Sequence, residues 1–165
     1  MTREGIAGRT ARGLKLSVAS ALLVIVGGNV YPIERIEIPL GNEEIKPHIE
    51  SLDVLRADSA AFAKDLDERR LNGKITPDAA ADSIRTQLLP RWRTFREELG
   101  TIEPSTAHGR KLQEAIDRYA AISYDLWSEL ALDVRGRLVR RERFDALVRD
   151  RDAAEARLLE LLQSR

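Results

Sequence analysis

Residues 76–100 read TPDAAADSIRTQLLPRWRTFREELG. A hydroxyl at Thr76, a proline at Pro77 and an acid at Asp78 form the arrangement that starts a helix. Ala81, Ile84, Leu88, Trp92, Phe95 and Leu99 then recur at threes and fours, one apolar stripe along a helix that Gly100 closes. The spacing predicts a helix over residues 77–99, kinked near Leu88 and Leu89 because Pro90 removes a backbone hydrogen bond. Such a helix cannot bury its stripe alone, so the fold turns on whether its neighbours carry matching ones.

They do. Upstream, Ile45, Ile49, Leu52, Leu55, Phe62 and Leu66 mark a helix over residues 43–71. Asn42 is its expected cap, Glu43 and Glu44 suit the positive end of its first turn, and Pro47 falls where a missing amide hydrogen costs little. Asn72-Gly73 ends it, since these residues tolerate the left-handed conformation of a helix stop. Downstream, Glu103-Pro104-Ser105 opens a helix over 105–135 whose stripe is Leu112, Ile116, Tyr119, Leu126, Leu130 and Val134, with Ser123 in the gap. Gly136 is the turn residue, and a helix over 138–163 carries Phe144, Leu147, Val148, Ala154, Leu158 and Leu161.

Four amphipathic helices joined by short turns bury their stripes by lying antiparallel. The expected fold is all-α: an N-terminal hydrophobic signal or anchor helix, then an antiparallel up-down four-helix bundle over residues 42–165. In that arrangement the Asn72-Gly73 turn and the turn near Gly136 share one end, and the Gly100 to Pro104 turn and the C-terminus share the other.

The first 41 residues have another character. Arg3, Arg9, Arg12 and Lys15 stand on a basic flank, residues 1–15, and residues 16–33 then carry no charged side chain. A basic flank before an apolar run reads as an export signal with the flank left in the cytoplasm. The densest part, with Leu22, Leu23, Val24, Ile25 and Val26, has the length of a signal-peptide core, and cleavage near Gly28 would release the rest as a secreted or periplasmic domain. Kept whole and helical, residues 16–33 span about 27 Å, close to the roughly 30 Å of a bilayer core, with Tyr31 at the outer interface. The reading favoured is an uncleaved single-pass anchor with the C-terminal domain outside the cytoplasm. Residues 34–41 follow as an extended connector in which Ile36, Ile38 and Leu40 alternate with Glu37 and Pro39.

The chain has 165 residues, 27 basic against 27 acidic and no cysteine. The missing cysteine excludes a lipoprotein anchor, disulfides, thiol catalysis, Cys-ligated zinc and iron–sulfur clusters. Beyond residue 33 stand 23 basic and 26 acidic residues, no footprint for general nucleic-acid binding.

Little in the chain carries chemistry. Di-metal bundles use Glu-x-x-His pairs, and neither His48 nor His108 has a glutamate three residues before it. Ser51, Ser59, Ser83 and Ser128 sit in helical pattern positions without a nucleophile turn. No enzyme, metal or cofactor is expected. Two groups suit a protein partner instead. Arg135, Arg137, Arg140, Arg141 and Arg143 put five guanidinium groups, which pair well with carboxylates, at one turn, although Asp133, Glu142 and Asp145 neutralise part of it. Tyr124 and Trp127 lie beside the stripe claimed by Leu126 and Leu130, and an exposed Trp-Tyr pair would anchor a partner. The expected function is a non-enzymatic accessory or scaffold protein, bound to the bilayer through residues 16–33 and contacting a membrane or envelope protein. The alternative is a released domain that binds a ligand or client proteins.

Overall fold

The computed structural model describes residues 43–133 and 141–164, and the flank, anchor and connector at 1–41 lie outside them, as do Asn42, Val134 and Gly136. Within the described residues the chain is all-helical and forms four rods. The first is α1, Lys46–Leu71. The second is continuous from α2, Pro77–Ser83, through a π turn at Ile84–Leu88 to α3, Leu89–Leu99. The third is α4, Ala107–Asp133, and the fourth is α5, Arg141–Gln163.

Cross-rod contacts set the directions. Arg85 meets the Ala131 carbonyl at 2.8 Å, Arg93 meets the Tyr124 hydroxyl at 3.3 Å, and Arg96 grips Asp117 at 2.8 and 3.3 Å. As the second rod advances the third retreats, so the two are antiparallel. The five-residue link between α1 and α2 reverses the chain in the same way, and α4 pairs with α5 along the most extensive contact in the fold. The apolar stripes meet between the rods: Leu52, Leu66, Ile84, Leu88, Trp92, Leu99, Leu112, Ile116, Leu130 and Leu158 are all almost fully buried. Truncating any one of these leucines or isoleucines to alanine costs about 2–5 kcal/mol.

The turns follow from local chemistry. Gly73 takes φ of +64°, where an L side chain is strained, and its N–H donates to Arg70 O at 3.0 Å while Lys74 N–H donates to Arg69 O at 2.7 Å. That pair of bonds satisfies the last carbonyls of α1. Thr76 caps the second rod by accepting from Ala79 N–H at 3.2 Å. At the opposite end, Gln113 donates to the carbonyls of Leu99 and Ile102 at 2.8 and 2.9 Å, tying the third rod to the end of the second.

Several boundaries differ from the sequence reading. Helix α1 begins at Lys46, not 43, with Ile45 as an N-cap that lacks a side-chain bond; no acid stands in the first turn, and Pro47 does fall there. Glu44 accepts from the Ser105 hydroxyl at 2.7 Å instead, which holds its carboxyl below the usual range. Ser105 is thereby diverted, and Thr106 caps α4 by accepting from Gly109 N–H at 2.8 Å. The kink expected at Pro90 is a π turn. Leu89 N–H reaches back five residues to Ile84 O, inserting a residue where the proline ring would strike the preceding turn. Phe62, Phe144, Leu147 and Val148 are half-buried rather than core.

Candidate functional site

Three of the four apolar stripes each have a gap, and the gaps meet. In α1 it holds Arg56 and Ser59, in α4 Ser123, and in α5 Arg151 and Glu155; together with Trp92 and Tyr119 they line one pocket at mid-bundle. Arg56 and Arg151 are each only 7% exposed. Buried guanidinium groups demand partners. Arg56 bonds Glu155 across the bundle and lies 3.5 Å from Asp53, while its guanidinium stacks over the Tyr119 ring at 5.3 Å. Arg151 holds Asp152 through Nε at 3.2 Å and through a terminal nitrogen at 2.7 Å. Trp92 donates its indole N–H to Ser59 Oγ at 3.2 Å, and the Ser59 O–H donates to Leu55 O at 2.6 Å.

Burial raises the Tyr119 pKa above its ordinary value; the Glu155 charge acts in the same direction, and Arg56, Arg151 and the Ser123 hydroxyl oppose it without prevailing. The pocket encloses about 40 Å³. That is room for about one to three water molecules, far below the roughly 300–1,000 Å³ of a small-molecule site. Its physical effect is to fix alignment. Sliding one rod by a turn would press a guanidinium against leucine and break Arg56 from Glu155.

Signals for this pocket exist in the sequence, as a charged or hydroxyl residue standing where the apolar period skips a turn. Apolar spacing alone marks Ser123 as a gap and Ser59 as a pattern position, and it passes over Arg56, Arg151 and Glu155.

Of the expected partner-binding residues, Trp127 is buried. It is 2% exposed and lines the pocket, so it offers no surface anchor. The reason lies in the third rod, which contacts both the second and the fourth and so buries a face wide enough to take in Trp127 and Ala131 as well as Leu126 and Leu130. Tyr124 is half-buried and accepts a bond from Arg93, whose pKa this contact raises. Arg141 and Arg143 are exposed at the start of α5, with Arg143 Nε 2.8 Å from the buried Glu129 and Arg141 Nε 3.7 Å from Asp145. Arg135, Arg137 and Arg140 lie outside the described residues, as do Leu22, Leu23, Val24, Ile25, Val26 and Tyr31.

Among the described residues no three His, Asp or Glu side chains are grouped as metal ligands, and no helix is long and apolar enough to cross a membrane. Two surface features stand out. Leu71 and Leu132, 74% and 51% exposed, end α1 and α4 at the end where Arg141 and Arg143 begin α5. An open groove of about 740 Å³ runs between α1 and α3. No protein family model, curated protein or solved structure matches the chain.

Proposed function

We propose that this protein is a non-enzymatic accessory or scaffold module, held in a bilayer by residues 16–33 and presenting its helical bundle outside the cytoplasm to an envelope protein. The observation that carries the reading is the uncharged window at 16–33 behind Arg3, Arg9, Arg12 and Lys15. The bundle suits a rigid spacer. Helix α1 alone, 26 residues long, rises about 39 Å, and a polar pocket of water size at its middle adds alignment rather than a ligand site. The partner contact belongs at the end away from Glu44, where the exposed Leu71 and Leu132 stand with Arg141 and Arg143. Exposed leucines and guanidinium groups at one end of the bundle fit a partner surface that offers apolar and acidic side chains.

Topology tests this directly. In spheroplasts of a bacterial host, external protease should degrade the bundle while leaving cytoplasmic markers intact. Full protection of the bundle until the membrane is lysed would place it in the cytoplasm and end the proposal.

A further inference from the structure

The groove between α1 and α3 has the buried Leu55 and Phe95 at its base and the exposed Pro47, Val54 and Pro90 along its walls, with Val54 56% exposed and polar side chains such as Glu50, Arg91 and Glu98 among its lining. An apolar trough of this size beside an exposed valine is an unfinished piece of core. We propose that its occupant is the chain's own connector, with Ile36, Ile38 and Leu40 seated against Val54, Leu55 and Phe95.

The place where the described chain begins is the first argument. Glu44 is pinned to Ser105 at the end of the bundle where α1 starts and α3 stops, and Pro47, three residues on, lines the groove at that end together with Glu98. The connector therefore joins the described chain within a few residues of the trough. Gly41-Asn42, a pair that favours reversal of the backbone, stands at the point where the connector must fold back.

Length and pattern agree. From Pro47 to Val54 the helix rises about 10 Å, and an extended stretch from Leu40 to Ile36 covers about 13 Å. In extended backbone alternate residues share a side, so Ile36, Ile38 and Leu40 form one apolar edge while Glu37 and Pro39 face away. Tethering decides against a competing partner. A segment joined within a few residues of the groove acts at millimolar effective concentration, which a second copy does not match at ordinary protein levels. Docking would brace the bundle against its anchor, holding it at a set orientation instead of letting it swing on a loose link. The bracing rests on the membrane-anchored reading, but the docking does not, since cleavage near Gly28 would leave the connector attached.

The full-length chain has no cysteine, so introduced pairs report cleanly. Ile38→Cys with Val54→Cys is the test pair. Ile38→Cys with Glu114→Cys is the control, because Glu114 is exposed at a similar height on the third rod, away from the groove. Under mild oxidation the Val54 pair should form an intramolecular disulfide at least ten-fold faster than the Glu114 pair. Equal rates would overturn the proposal, and so would disulfide-linked dimers as the main product, which would assign the groove to a second copy. Amide exchange gives a second readout without cysteines. Residues 36–40 should exchange at least ten-fold more slowly in the wild type than in Val54→Asp, and equal exchange in the two would also overturn it.

Discussion

The indole N–H of Trp92 donates to the hydroxyl of Ser59 across 3.2 Å, linking the second rod to the first inside the core. Both groups are buried beside a pocket with room for only a few water molecules, so losing either leaves the other without its protein partner.

Ser59→Ala should therefore destabilise the bundle by about 1–3 kcal/mol, the cost of leaving a buried donor unpaired. Trp92→Phe in the Ser59→Ala background removes the orphaned N–H, so the loss should be smaller than the sum of the two single changes. Urea denaturation followed by circular dichroism measures the cycle, and strict additivity would contradict the bond.

Arg56 and Glu155 form the ionic cross-brace between α1 and α5. Arg56→Met alone leaves Glu155 facing the pocket without its cation, and a loss on the order of 2 kcal/mol follows, discounted because the Glu155 side chain is 23% exposed. Adding Glu155→Leu should recover most of that loss, because an apolar pair of similar volume needs no compensation. A double variant weaker than Arg56→Met would show that the pair itself supplies net stability.

The buried Tyr119 makes an alkaline signature. Its folded pKa is raised above 10.0 while the unfolded side chain titrates near that value. Above it the unfolded chain releases a proton that the folded chain keeps, so stability is whole below about pH 10 and falls as pH rises toward the folded value, by up to about 1.4 kcal/mol per pH unit. Tyr119→Phe should differ from the wild type by a constant below pH 9 and lose this extra slope above pH 10. Parallel stability curves for the two proteins from pH 8 to 11 would contradict the assignment.

Much of this fold was legible from period alone. Trp92, Phe95 and Leu99 stood in one stripe in the sequence and stand in one core, and Asn72-Gly73 and Thr76-Pro77 mark the chain reversal they implied. The pocket was harder to read, because a stripe scored by apolar residues alone passes over Arg56 and Arg151, whose burial depends on partners on other rods. The burial of Trp127 was hard to read for a related reason: a helix with neighbours on two sides buries a wider face than one stripe, and a single sequence does not tell which helix occupies that position. The π turn reflects backbone sterics at Pro90, which periodicity marks as a kink without its form.

The membrane-anchored reading is tested most directly by the intact mass and membrane partition of the full-length protein expressed in a bacterial host. A mass that retains residues 1–28, found only in the detergent-extracted membrane fraction, is the expected result. A soluble product whose mass begins at Asn29 would contradict the anchor and make this a released helical domain.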